Sequence, residues 1–251
     1  MTTVIAFTNQ KGGVAKTTTV AALGAALGER GHSALVVDLD PQACLTFSLG
    51  FDPEDLQPTI HDVFVGRCGI DTTIVPVEDE AFDLAPASID LAGAEAYLLT
   101  RTGREYALRA ALDEVGERYD VVVLDCPPSL GVLTINALTA ADDVLIPLQC
   151  ETLSHRGVGQ LLSTIDDVRR LTNRQLHVSG ILPTMFDART VHSREVLADV
   201  GTRYRLRVLD PPVRKSVRFA EAPREGRSIL RFSPSHHGAE AYRAISRELV
   251  P

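Results

Sequence analysis

One stretch governs what this chain can fold into: Asn9-Gln10-Lys11-Gly12-Gly13-Val14-Ala15-Lys16-Thr17-Thr18-Thr19, which follows an apolar strand-like run and opens a helical pattern. Adjacent glycines let successive backbone N–H groups turn inward around an anion. A helix starting at Lys16 adds its dipole and its unpaired donors. Lys16 is placed to reach β- and γ-phosphates, and the Thr17 hydroxyl to take a Mg²⁺ coordination position. Lysine usage sharpens the reading. Of 25 basic residues only Lys11, Lys16 and Lys215 are lysine. Two of those three sit in this loop, where a compact, flexible point charge does what a planar guanidinium cannot.

Around the loop, short apolar runs alternate with helical patterns. Val4–Thr8, Ala34–Asp38, Val121–Asp125, Val144–Leu148 and Val178–Pro183 are β-rich, and their near-continuous hydrophobicity suits strands covered on both faces. Lys16–Arg30, Arg101–Arg118, Ser129–Ala140, Arg156–Leu171 and Arg189–Val200 read as helices between them. The alternation predicts an α/β fold: a doubly wound, mostly parallel sheet with helices on both faces. Phe51–Ile89 is less regular and is expected to hold a subsidiary helix, a hairpin or both. No linker or internal repeat divides the chain, so residues 1–251 are expected to form one domain. Ligands of such sheets lie beyond the carboxyl ends of the strands, where Asp38, Asp125 and the glycine-rich loop all fall.

Composition excludes several classes. An apolar fraction of 45% supplies a sizeable core, and no stretch approaches the roughly 20 apolar residues that span a bilayer. The N-terminal residues carry no basic n-region and no small-residue cleavage site, which points to a cytoplasmic protein. Cys44, Cys68, Cys126 and Cys150 form no CxxC pair, so inert thiols in a reducing compartment are expected. The net charge of −8 is unevenly spread: Arg189 to Arg231 holds eleven basic against five acidic residues. A basic quarter on an acidic body suggests one face built for an anionic partner.

The strict P-loop pattern requires glycine at positions 10 and 15, where this chain has Gln10 and Ala15. It matches instead the deviant Walker A motif K-G-G-x-G-K-T-T with one substitution. Together with Val37-Asp38-Leu39-Asp40-Pro41-Gln42, Asp125-Cys126-Pro127-Pro128-Ser129-Leu130-Gly131, Leu182–Thr190 and Glu221-Ala222-Pro223, this makes the chain resemble ParA/Soj-type chromosome and plasmid partitioning ATPases. The wider deviant-Walker group includes MinD.

The resemblance implies a slow, partner-stimulated ATP hydrolase that uses ATP and Mg²⁺. Lys11 is the signature lysine, reaching the partner's phosphates across an ATP-dependent homodimer; Lys16 and Asp40 complete the catalytic set, with Asp40 positioning or activating water. Gly12, Gly13, Val14, Ala15, Lys16, Thr17 and Thr18 cradle the phosphates. Thr17, Asp38 and Asp125 serve the metal, Asp38 and Asp125 through intermediates. Arg214-Lys215-Ser216 stands where relatives commonly have Pro-Arg-Asn, so Arg214 and Ser216 lie near adenine without the side-chain amide contact. Met185 and Pro183 either flank the base or pack in the core. Arg189, Arg214, Lys215 and Arg218 are implied to bind double-stranded DNA without sequence preference through phosphate contacts, giving a nucleoid-associated switch that works with a ParB-like partner.

If position 15 demands positive φ, its alanine costs about 1–2 kcal/mol, while a methyl group blocks no backbone donor. No separate DNA-reading domain is expected, since the first strand begins at Val4. The same machine could position another cargo on the nucleoid. A MinD-like, membrane-cycling reading wants a basic amphipathic C-terminal helix; Ala239, Tyr242, Ile245 and Leu249 make only a short stripe beside Glu240 and Glu248, which predicts packing on the domain. An iron–sulfur carrier lacks a second plausible ligand beside Cys126.

Overall fold

The computed structural model describes residues 2–150, 154–187, 189 and 191–250, without the side chains of 154–156 and 191–192. Strand β1 (Thr3–Phe7) leads through the glycine-rich loop into α1 (Lys16–Glu29), then β2 (Ala34–Asp38), α2 (Cys44–Ser48) and α3 (Ile60–Phe64). A hairpin β3 (Val75–Val77) and β4 (Phe82–Ala85) precedes α4 (Leu91–Leu98) and α5 (Ala107–Asp113). There follow β5 (Val121–Asp125), α6 (Val132–Ala140), β6 (Asp143–Gln149), α7 (Ser154–Leu171), β7 (His177–Thr184) and α8 (Val191–Tyr204). Short α9 (Arg218–Glu221) and α10 (Ile229–Phe232) precede α11 (His237–Leu249).

The seven strands form one sheet in the order β3-β4-β2-β5-β1-β6-β7, with β3 alone antiparallel to its neighbour. All five strands expected from their apolar runs are present, within a residue at each end. Both faces are covered, which is why those runs are continuous rather than alternating. On one face α1, α10 and α11 bury Val20, Leu23, Leu27, Ile229, Tyr242 and Ile245. On the other, α3 to α8 bury Phe64, Leu91, Leu108, Leu133, Ile165 and Val200. Helix α1 runs close over β2: a methyl group on Gly24 would stand 2.6 Å from Val36, so glycine is required there for the approach.

Three expectations need correction. Arg101–Arg118 is not one helix but a 3₁₀ turn at Arg104–Tyr106, α5, and a second turn at Gly116–Arg118. Gly103 takes φ +69° and cannot continue a right-handed turn. The helix expected from Ser129 begins only at Val132, because Gly131 is extended. Arg189 precedes α8, which starts at Val191.

The C-terminal stripe packs as expected. Tyr242 and Ile245 are fully buried against α1, and the Tyr242 hydroxyl lies 3.0 Å from that of Thr19. Arg30, just past α1, donates to the carbonyls of Ser246 and Val250 at 2.7 and 2.6 Å, tying the end of α1 to the end of α11. Arg243 and Glu29 form a two-point ion pair across the same interface. Among the described residues no helix is long and apolar enough to cross a membrane.

Candidate functional site

The site lies at the carboxyl end of the sheet, where β1 sits between β5 and β6 and connections diverge to both faces. The glycine-rich loop is fastened to its surroundings at both ends. Asn9 donates through its amide nitrogen to Pro147 O at 2.7 Å, and its amide oxygen accepts the Lys11 N–H at 2.9 Å. The Thr184 hydroxyl, at the end of β7, donates to Val14 O at 2.8 Å. Between these fastenings Gly13 takes φ +74° and Ala15 φ +62°, ψ +33°. A Cβ on Gly13 would meet nothing within 4 Å, so backbone conformation rather than crowding demands glycine there. Ala15 is the residue before α1, and its carbonyl accepts the first helical bond from Thr19. The N–H groups of Lys16, Thr17 and Thr18 therefore begin the helix without intrahelical acceptors.

Beneath the loop the structure gathers charge into a buried pocket. Lys16 is 7% exposed, and Asp38 and Asp125 end neighbouring strands β2 and β5. The two aspartates spend their oxygens differently. Asp38 accepts Asp40 N–H through Oδ1 at 3.1 Å, and through Oδ2 the Thr46 N–H and hydroxyl at 2.9 and 2.8 Å. Both of its oxygens thus hold the 38–46 loop. Asp125 has two buried oxygens with no well-aligned hydrogen bond. Burial drives its pKa upward and the Asp38 charge pushes the same way, while the nearby Thr17 hydroxyl and Lys16 ammonium pull it back. Burial likewise raises Asp38 against the bonds from Thr46 and Asp40. A bare buried carboxylate beside a threonine hydroxyl and an ammonium is a donor set that fits a divalent cation carrying phosphate oxygens. Asp40 is half-buried at the loop's start, where its Oδ1 accepts the Gln42 N–H at 2.9 Å.

Two cavities flank the start of α1. One of about 480 Å³ is walled by Ala15, Thr18, Met185, Val213, Ser216 and Phe219. Met185, at φ +48°, faces this space, whereas Pro183 is buried in β7 with its carbonyl accepting Val213 N–H at 2.8 Å. The second, of about 430 Å³, shares Thr18 and Phe219 and adds Thr17, Gln42, Cys44 and Phe47. Cavities of this size hold a base or a small ligand.

Of the basic residues, Arg189, Arg214 and Lys215 line one cleft together with Asp187 and His237. Arg218 stands elsewhere, on α9. Two of the four are already paired: Arg189 forms a two-point bridge to Asp187 at 2.9 and 2.8 Å, and Arg218 meets Glu221 at 2.9 Å. The Arg189 guanidinium holds the Asp187 carboxyl down at about 2. Within the Leu182–Thr190 stretch, Ala188 and Thr190 lie outside the described residues.

Sequence reasoning missed four residues that shape the site. Thr46 anchors the 38–46 loop on Asp38 and its hydroxyl accepts Ala87 N–H at 3.0 Å. Thr184 fixes the phosphate loop. Glu80, in the β3–β4 turn and 1% exposed, accepts the Ser228 N–H and hydroxyl at 2.6 and 2.7 Å, tying the hairpin to the segment before α10. His236 reaches Ser216 beside the larger cavity at 3.1 Å. Only Thr46 had a local signal, eight residues from Asp38; the other three act across long stretches of chain.

The family profile described as an AAA domain matches residues 2–178. The chain is 43% identical over 247 residues to the sporulation initiation inhibitor protein Soj of Bacillus subtilis, covering 98% of each chain. It is 40% identical to the chromosome partitioning protein ParA of Myxococcus xanthus, covering 98% of this chain and 87% of that one. Its fold is similar, with a TM-score of 0.90 and 54% identity, to the crystal structure of cobyrinic acid a,c-diamide synthase from Mycobacterium smegmatis with bound ADP and magnesium. That match covers 100% of this chain and 94% of the other.

Proposed function

The chain belongs to the ParA-type partitioning ATPases, and from that premise we propose that it is an ATP-driven dimerising switch that binds DNA without sequence preference and segregates a chromosome or plasmid with a ParB-like partner. The observation that carries the nucleotide half is the buried Lys16 beside the buried Asp125 carboxylate, whose oxygens have no well-aligned hydrogen bond. A buried charge pair left incompletely satisfied is costly unless a ligand completes it. Residues 1–251 are read as one ATPase domain, supported by the single continuous sheet.

In this reading the backbone from Gly12 to Thr18 binds the phosphates, and Lys16 neutralises the β–γ bridge. Thr17, through its hydroxyl, and Asp125, through its carboxylate, would hold Mg²⁺. When bound, the metal would neutralise charge on the phosphates. Asp38 acts at a distance, by holding the loop that presents Asp40. Asp40 accepts a hydrogen bond from the attacking water and orients it. Met185 and the Arg214–Ser216 segment enclose the base. Lys11 is half-buried next to exposed Gly12 and Gly13, and in this reading its ammonium serves a second subunit's triphosphate and is released when the γ-phosphate leaves.

Dimerisation doubles the basic face of Arg189, Arg214, Lys215 and Arg218, so DNA affinity follows nucleotide state. Phosphate contacts from arginines give affinity without base readout, and the protein then sits on the nucleoid in the cytoplasm. Positioning of another cargo uses the same parts and differs only in the partner. The name carried by the M. smegmatis structure suggests a second reading, amide formation on a corrinoid. Cavities of about 480 and 430 Å³ beside the phosphate loop are of the size that holds a nucleotide base.

The test is DNA binding and sedimentation velocity with ATP, with ADP and without nucleotide, using the parent, Lys11→Ala and Arg218→Glu. The expected result is a dimer and DNA binding with ATP alone, loss of both in Lys11→Ala, and loss of DNA binding only in Arg218→Glu. Equal DNA binding with ATP and ADP refutes the switch.

A further inference from the structure

A buried hydroxyl lies two hydrogen bonds away from Asp40. Thr46 is the third residue of α2 and is fully buried. Its backbone N–H and its hydroxyl both donate to Asp38 Oδ2, at 2.9 and 2.8 Å, and its Oγ1 accepts the Ala87 N–H at 3.0 Å. A backbone N–H can only donate, and an ionised carboxylate can only accept. The hydroxyl proton is therefore directed at Asp38, and the chain of bonds runs one way, from Ala87 through Thr46 to the carboxylate. The other carboxylate oxygen, Oδ1, accepts the Asp40 N–H at 3.1 Å.

The turn that carries Asp40 closes on itself. Gln42 N–H bonds Asp40 Oδ1 at 2.9 Å, and Ala43 N–H bonds Asp40 O at 2.8 Å. Ala43 then takes φ +50° at the entry to α2. On the strand side Leu39 N–H reaches Asp125 O at 3.0 Å, whereas Asp40 N–H reaches the Asp38 side chain and not a strand carbonyl. The set of the Asp40 turn thus follows the plane of the Asp38 carboxylate. A carboxylate turns in a broad, two-fold well; two donors from Thr46 on one oxygen narrow it. The Ala87 bond extends the hold across the fold. Ala87 lies just past β4, which pairs with β2, so neighbouring strands grip the same hydroxyl. Thr46 lines neither cavity beside the phosphate loop, so its side chain stands apart from the place of the nucleotide.

We propose that Thr46 is a positioning residue for hydrolysis: its hydroxyl sets the plane of the Asp38 carboxylate, which holds the Asp40 turn in register with the γ-phosphate, so that the rate of hydrolysis depends on that hydroxyl and nucleotide affinity does not. The proposal rests on Asp40 orienting the attacking water, and the experiment separates the two. A displacement of about 1 Å at a reacting group costs on the order of 10²-fold in rate, which sets the scale of the effect.

ATP turnover and its KM, ADP affinity by calorimetry with Mg²⁺, and sedimentation velocity with ATP are measured on the parent, Thr46→Val, Thr46→Ser and Asp40→Asn. Thr46→Val keeps the shape and removes the hydroxyl, and kcat is expected to fall about 10- to 100-fold. KM and ADP affinity stay within about 3-fold of the parent's, and the ATP dimer persists. Thr46→Ser restores the hydroxyl and returns kcat to within about 3-fold of the parent's. Valine leaves the Ala87 N–H unpaired in the core. If that variant does not fold, Thr46→Cys, whose thiol is a weak donor, takes its place, with a loss of about 3-fold or more expected. A parent kcat in Thr46→Val or Thr46→Cys overturns the proposal, as does Thr46→Ser no faster than either. Weakened ADP binding or a lost ATP dimer alongside the fall in kcat overturns it too, because a general disturbance of the fold then accounts for the rate. Asp40→Asn at the parent's rate refutes the role of Asp40 instead, and with it the route by which Thr46 acts.

Discussion

Replacing Ala15 by glycine isolates the energy stored in the phosphate loop. Ala15 sits at φ +62°, ψ +33°, the left-handed region, where an L-residue with a Cβ costs about 1–2 kcal/mol. Glycine removes that cost and adds conformational freedom to the unfolded chain, which takes back about 0.4–1 kcal/mol. The net expectation for Ala15→Gly is a gain of about 0.5–1 kcal/mol, or about 1–4 °C in melting temperature for a chain of this size. Ala25→Gly is the control: Ala25 is buried in right-handed α1, so glycine there loses about 1 kcal/mol of helix propensity as well as a buried methyl. Both are compared with the parent by urea denaturation without nucleotide, because ligand would stabilise each by mass action. The two substitutions are expected to move the midpoint in opposite directions at unchanged slope. Ala15→Gly falling below the parent by 0.5 kcal/mol refutes the strain argument. The Ala15 methyl covers no loop N–H, so ATP affinity is expected within about 3-fold of the parent's; tight binding by the variant and none by the parent refutes that half.

Glu80 gives a pH prediction with a definite sign. Burial raises its pKa despite the bonds from Ser228, so the folded state holds the proton more tightly than the unfolded state. Its contribution to stability is therefore complete below the ordinary value of about 4.3 and is lost as pH rises through the raised folded value. Relative to Glu80→Gln, the parent is expected to lose stability between pH 4 and 7 in denaturant titrations; a relative gain refutes the assignment. Asp187→Asn releases Arg189 from its two-point bridge, and is expected to tighten DNA binding at low salt and steepen the salt slope by up to about 0.9, read by anisotropy in a KCl series. Asp125→Asn removes the unpaired buried carboxylate: EDTA should weaken ADP binding about 10-fold or more in the parent and much less in the variant, by calorimetry. Tyr242→Phe leaves the Thr19 hydroxyl without its buried partner, and a loss of about 1–2 kcal/mol is expected in the same denaturation assay.

Where a signal was local, the amino-acid order already contained it. Glycine-rich turn, helix start and lysine placement lie within eleven residues, and buried parallel strands announce themselves as unbroken apolar runs. Asp38 and Asp125 were legible because each closes such a run. Their separate tasks were not, because the difference lies in which oxygens Thr46 occupies. The β3–β4 hairpin was expected only as one option within Phe51–Ile89; its strands could not be placed because they are three and four residues long, with Pro76 in one of them. Even the Arg189–Asp187 bridge, two residues apart, depends on a backbone turn that charge counting does not reveal.

By itself, then, the order of residues determined the sheet-and-helix architecture and the chemistry of the phosphate loop, since both arise from neighbours along the chain. Tertiary structure alone decided what surrounds that loop. Thr184 meets Val14, Ser228 meets Glu80, and His236 meets Ser216 across separations of 170, 148 and 20 residues. Such contacts leave no periodicity to read: a hydroxyl or carboxylate acquires its partner only when the packed layers bring the two to about 3 Å and exclude the water that would otherwise take its place.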